Sequence, residues 1–139
     1  MLEGQVTGMS IYRTNLRVAN PRESSRESAT VESLVDTGAE LTWMPADLLE
    51  PVGIVRLKKR SFRTANGQIL QRDVGYAIVR AEGYETIDEV VFGEPGDQVL
   101  LGVRTLEGFG VAVDPIGHRL VAQATLAAAT GREILNAKG

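Results

Sequence analysis

Short apolar runs cut by glycine, proline and asparagine fill most of this chain, a pattern that predicts strands and hairpins with little helix. Val31 to Val35 holds two adjacent large aliphatics and suits a largely buried strand, and Val99-Leu100-Leu101 reads as another. Val6 to Val18 mixes apolar and polar residues, as in Met9-Ser10-Ile11-Tyr12 and Leu16-Arg17-Val18, which predicts extended chain on a half-exposed sheet and places the first hairpin there. Asn20 to Glu27 has nothing to bury and contains a proline, so it reads as a mobile connection.

Strands resume by Val55. Arg56 to Arg63 alternates basic and apolar residues, and Gln68 to Val74 follows across Thr64-Ala65-Asn66-Gly67. Asn66-Gly67 is the strongest two-residue hairpin signal in the chain and predicts a projecting hairpin. Tyr76-Ala77-Ile78-Val79 and Ile87 to Phe92 form a further pair joined near Glu82-Gly83-Tyr84, with another turn at Gly93-Glu94-Pro95-Gly96-Asp97. Val111 to Asp114 against Arg119 to Val121 is one more hairpin, turning through Pro115-Ile116-Gly117-His118. Helix is confined to short pieces. One is a single turn at Pro45-Ala46-Asp47-Leu48-Leu49 with proline at its first position, stopped by Pro51-Val52-Gly53-Ile54. The other is about two turns from Val103, ending near Gly108 or Gly110. The alanine-rich stretch from Ala122 to Ala129 fits strand or helix equally. These elements imply an all-β chain, with one domain over 1–121 and a tail of uncertain structure over 122–139.

With 139 residues and 43% hydrophobic content, the chain has material for one core and too little for two domains. It contains no cysteine, which excludes disulfides and thiolate chemistry and makes a reducing, cytoplasmic setting the default. The one histidine, His118, falls in a turn, and zinc sites generally need several His or Cys ligands, so neither metal nor cofactor is expected. A net charge of -3 with scattered arginines offers no basic face for nucleic acid. No secretory leader or membrane-spanning run is evident in the sequence.

The chemistry concentrates at Leu34-Val35-Asp36-Thr37-Gly38-Ala39, where an acid leaves an apolar strand into a tight turn and Gly38 supplies backbone freedom to reverse direction. Acid, small residue and glycine is also ordinary turn chemistry. The Asp-Thr-Gly-Ala string resembles the signature of retropepsin-like (retroviral-type) aspartic proteases, and Leu100-Leu101-Gly102 before the helix resembles the motif those chains place behind the signature, with a candidate flap hairpin between. The resemblance implies a closed β-barrel or sandwich of hairpins with one short helix after Leu-Leu-Gly, active as a symmetric dimer. It implies Asp36 as the catalytic residue, Thr37, Gly38 and Ala39 as loop support, Ala65, Asn66 and Gly67 as the substrate-binding flap tip, and Leu100, Leu101 and Gly102 as the buttress.

Such a protease needs two carboxylates sharing a proton, and this chain carries a single Asp-Thr-Gly, so the resemblance implies a homodimer contributing Asp36 twice. Its activity would be hydrolysis of peptide bonds in extended substrates, with no nucleic acid or membrane as partner. Thr37 would bond the opposite loop. Ala39 stands where many relatives have serine, and Glu40 where retroviral relatives have an aspartate paired with an arginine just after the helix glycine, one position before Arg104. Either a displaced Glu40–Arg104 pair or a solvated Glu40 fits. The opposing function is a catalytically inactive module of the same fold that dimerises or binds peptides.

Overall fold

The computed structural model describes residues 11–124. The expectations for residues before Ile11 and for the tail beyond Ala124 lie outside the described residues. Among the described residues ten strands and two short helices follow in the order β1 (Arg13–Asn20), β2 (Glu23–Glu27), β3 (Val31–Val35), β4 (Thr42–Pro45), α1 (Ala46–Leu49), β5 (Lys58–Arg63), β6 (Ile69–Ala81), β7 (Tyr84–Gly93), β8 (Leu100–Leu101), α2 (Val103–Phe109), β9 (Val111–Asp114) and β10 (Arg119–Ala122). Eight of the strands form one sheet in the order β2-β1-β3-β8-β4-β7-β6-β5, and β9 and β10 form a separate hairpin. Pairing of β1 with β6, Val18 opposite Val79, returns the order to its start, so β1, β3, β8, β4, β7 and β6 close a ring. This is the all-β, retropepsin-like architecture. A closed ring leaves few free edges, and its interior holds the main core, including Leu16, Val18, Met44, Val79, Phe92 and Leu101.

Four local expectations are corrected. Asn20 to Glu27 contains β2, which pairs antiparallel with β1 through Ala19 and Glu27. Its residues are almost all exposed, so no apolar pattern marks it; side chains hold it instead, with Glu27 joined to Arg17 at 3.2 Å and to Arg80 at 2.8 Å. In β3 only Ser33 is fully buried, its hydroxyl donating to the Thr14 carbonyl at 3.0 Å, while Leu34 and Val35 are half-buried. Residues 69–81 make one long strand where two were expected. Gly75 permits it: a Cβ there would lie 2.1 Å from the Val55 carbonyl oxygen, which crosses the strand at that point. Chain from Val55 to Leu57 is accordingly not yet strand, and β5 begins at Lys58.

The projecting hairpin exists but turns differently. Arg63 is opposite Ile69, the Thr64 amide donates to the Gln68 carbonyl at 2.8 Å, and the Gly67 amide donates to the Thr64 carbonyl at 2.9 Å. Only Gly67 (φ 88°) takes the left-handed conformation, and Asn66 does not, so the loop is a three-residue Ala65-Asn66-Gly67 connection. The two-residue primed turn lies between β6 and β7, where Glu82 (φ 51°) and Gly83 (φ 86°) are both left-handed. A glutamate accepts that conformation because its carboxylate is tied down. It receives hydrogen bonds from the Tyr12 hydroxyl, from Thr14 Oγ1 at 2.7 Å and from the Leu120 amide at 3.2 Å, clasping the start of β1 and β10 to this turn.

The helices match expectation closely. Pro45 caps α1 from just outside instead of occupying its first position, and α2 ends at Gly110, left-handed with φ 73°. Helix α2 lays Thr105, Leu106 and Phe109 against the body, with Phe109 stacked on Tyr84.

Candidate active site

Asp36 leaves the end of β3 at the tip of a loop that returns as β4. Its side chain is half-buried, while Thr37 and Gly38 are exposed. The Gly38 amide donates to Asp36 Oδ1 at 2.9 Å and the Ala39 amide to the Asp36 carbonyl at 3.1 Å, so the acid closes its own turn and one carboxylate oxygen is held in place. Gly38 is not left-handed, so its contribution differs from the freedom expected of it. A Cβ there would come within 3.2 Å of Asp36 Oδ1, and glycine keeps that oxygen accessible to the amide.

The loop is gripped by chain distant in sequence. Strand β8 lies between β3 and β4, parallel to one (Val35 opposite Leu101) and antiparallel to the other (Leu100 opposite Trp43). From there four successive residues hold the loop. The Leu101 carbonyl accepts from the Asp36 amide at 3.0 Å; the Gly102 amide donates to Thr42 Oγ1 at 3.0 Å; the Val103 amide donates to the Ala39 carbonyl at 2.8 Å; and the Arg104 amide donates to the Glu40 carbonyl at 3.1 Å. Only glycine fits at 102, because a Cβ would sit 2.4 Å from the Leu41 carbonyl oxygen and 3.0 Å from that of Ala39. Leu101 is fully buried and Leu100 half-buried. The expected juxtaposition of Leu100, Leu101 and Gly102 with Asp36 to Ala39 is therefore present.

Ala65, Asn66 and Gly67, expected at a flap tip, are exposed at the tip of the β5–β6 hairpin. That hairpin reaches the signature region through Phe62, which meets Trp43 edge to face above a small cluster of Leu41, Val74 and Val91.

The displaced Glu40–Arg104 pair does not form. The Arg104 guanidinium lies 3.5 Å from Asp88 Oδ1 and 3.4 Å from Glu89 Oε1, leaving Glu40 tied to Arg104 only through the backbone. Arg60 of β5 joins the same Glu89 oxygen at 3.0 Å. Sequence reasoning passed over Thr42, Thr105 and Asp88, which lie buried behind the loop. Thr42 had a visible signal, a hydroxyl set among large apolar residues in Leu41-Thr42-Trp43-Met44.

Among the described residues no group of three or more histidines or acids is placed to hold a metal ion, and no helix is long and apolar enough to cross a membrane. His118 is left-handed (φ 52°) at the end of its hairpin turn and stacks on the Tyr12 ring, centroids 5.5 Å apart.

Comparison with curated proteins gives no match. Residues 25–108 match the family model described as gag-polyprotein putative aspartyl protease, a span that runs from β2 through the signature loop, the projecting hairpin and β8 into α2. With its ring of strands, its Asp-Thr-Gly loop and the Leu-Leu-Gly strand behind it, the chain belongs to this family of retropepsin-like aspartyl proteases.

Proposed function

We propose that this chain is an aspartic endopeptidase whose catalytic dyad forms from Asp36 of two identical copies. The observation that carries the proposal is the loop at Asp36: one carboxylate, half-exposed, held by its own Gly38 amide and gripped from behind along Leu101 to Arg104. The family match supports the reaction class, and the single Asp-Thr-Gly supports the need for a second chain.

The chemistry follows from two carboxylates sharing one proton. The ionised member takes a proton from water as the water oxygen attacks the peptide carbonyl carbon, and the protonated member donates to the carbonyl oxygen as it gains charge. The tetrahedral intermediate then collapses, its C–N bond breaking as the nitrogen receives a proton. An isologous two-fold interface supplies the geometry. Thr37, exposed beside Asp36, bonds the opposite loop in this reading, Gly38 presents backbone groups to the substrate, and Ala65, Asn66 and Gly67 close over an extended peptide. The domain is assigned to residues 1–121.

Digestion of a peptide library by the wild type and by Asp36→Asn, beside sedimentation at several concentrations, tests the proposal. Cleavage by a dimer that falls by about 10²–10⁴-fold or more in Asp36→Asn supports it. Equal cleavage by the variant overturns it, and a dimer that binds peptides without cutting them identifies a non-catalytic module.

A further inference from the structure

Behind the signature loop a buried line of hydroxyls ends on a carboxylate. The Gly102 amide donates to Thr42 Oγ1 at 3.0 Å, the Thr42 and Thr105 hydroxyls are 2.7 Å apart, and Thr105 Oγ1 donates to Asp88 Oδ2 at 2.9 Å. Thr42 and Thr105 are fully buried and Asp88 is 8% exposed.

Each hydroxyl has one proton to give, which fixes the direction of the whole line. Asp88 Oδ1 receives the Glu89 amide at 2.7 Å and faces the Arg104 guanidinium at 3.5 Å, so every partner of this carboxylate is a donor. The Thr105 proton is therefore committed to Asp88. Thr105 can only accept from Thr42, and Thr42, its own proton engaged, turns a lone pair toward the Gly102 amide. The acid on β7 thus sets the orientation of a backbone group at the end of β8. That peptide has no slack, since the Leu41 carbonyl occupies the space where a side chain at 102 would go. Its neighbours on either side, Leu101 and Val103, are the residues that hold Asp36 and Ala39.

We propose that Asp88 is a positioning residue for the Asp36 loop, acting through Thr105 and Thr42 on the Gly102 amide. The inference rests on Asp36 being the catalytic group. Losing the Thr105 hydroxyl would leave the buried Thr42 proton without an acceptor; as the Thr42 hydroxyl turns to find one, its lone pair swings away from the Gly102 amide and the Leu101–Gly102–Val103 backbone shifts with it. Displacing a reacting group by about 1 Å can cost on the order of 10²-fold in rate.

The test compares Thr105→Val, which keeps shape and removes the hydroxyl, with Thr105→Ser, which keeps the hydroxyl, in the full chain. Steady-state kinetics use a peptide cleaved by the wild type, and amide hydrogen exchange at Gly102 is read by NMR. Thr105→Val is expected to lower kcat by about 10–100-fold with KM within about twofold, and to speed Gly102 exchange by about tenfold or more. Thr105→Ser is expected to stay within about twofold on every measure. Wild-type kcat or unchanged Gly102 exchange in Thr105→Val overturns the proposal, as does a Thr105→Ser variant that is equally impaired. Should Thr105→Val fail to fold, Thr105→Ala and Asp88→Asn are read against Thr105→Ser in the same way. An inactive wild type would remove the protease reading, while the exchange measurement would still decide whether the relay operates.

Discussion

The rings of Trp43 and Phe62 meet edge to face, centroids 5.0 Å apart and planes at 61°. Trp43 lies in β4, where the chain leaves the Asp36 loop, and Phe62 in β5, one strand of the projecting hairpin, so this contact fastens the hairpin to the loop's exit. Aromatic pairs of this kind contribute about 0.5–1.5 kcal/mol beyond the area they bury. Phe62→Ala is therefore expected to loosen the hairpin and raise KM by about 2–10-fold with a smaller change in kcat, measured on a cleaved peptide.

Glu89 is buried, with Arg60 at 3.0 Å and Arg104 at 3.4 Å on one carboxylate oxygen, and its Oε2 has no hydrogen-bond partner among the described residues. Removing one partner of a fully buried pair costs about 3–5 kcal/mol. Here the Arg60 side chain is 31% exposed and Arg104 remains, so Arg60→Met is expected to cost less, about 1–3 kcal/mol in urea denaturation. The double variant Arg60→Met/Glu89→Met should recover most of that loss, and a double variant no more stable than Arg60→Met would show that the charge of Glu89 is not what the arginine offsets.

The clasp at the β6–β7 turn predicts how stability varies with pH. Burial and the neighbouring Glu82 carboxylate push the Tyr12 hydroxyl above its ordinary value of 10.0. Its contribution is therefore complete below pH 10 and lost as pH rises beyond it. For Glu82, burial pushes the carboxyl upward, but hydrogen bonds from Tyr12, Thr14 and the Leu120 amide together outweigh it and hold it below its ordinary 4.5. That contribution is present above about pH 4.5 and fades as the solution is acidified. Denaturation midpoints across pH 3–11 should show a flatter alkaline limb for Tyr12→Phe and a flatter acid limb for Glu82→Gln.

Ala39 bonds the loop only through its backbone, its amide to Asp36 and its carbonyl to the Val103 amide. A serine there would bring a hydroxyl donor beside the Asp36 carboxylate, favouring its ionised form. The pH–rate profile of Ala39→Ser is expected to move toward acid relative to the wild type; a profile that stays put or moves upward contradicts this.

What could be read from the residues alone was whatever local chemistry determines. Asp-Thr-Gly-Ala marks a turn with an acid in it, Leu-Leu-Gly marks a buried strand ending where a side chain cannot fit, and Gly110 stops a helix; each appears where expected. The misreadings share a cause, since each element concerned is decided by a distant neighbour. Strand β2 is exposed, and ion pairs to Arg17 and Arg80 hold it where no apolar pattern exists. The primed turn falls on Glu82-Gly83 because three donors from elsewhere immobilise the glutamate, while Asn66-Gly67, the better local candidate, adopts a different loop. Arg104 turns away from Glu40 because two acids of β7 are closer to its guanidinium.

Strand β8 is only two residues long, yet it separates the strands on either side of Asp36 and comes from chain made long after them. During synthesis the acid and its turn emerge first, without the backbone that grips them. A ribosome-bound chain ending before residue 100 holds Asp36 and its turn and no assembled loop, so in the proposed protease competence to hydrolyse would arrive late, with the last part of the ring. Contacts spanning that much sequence are slow to form, which delays completion of the Asp36 loop until residues 100–104 have emerged.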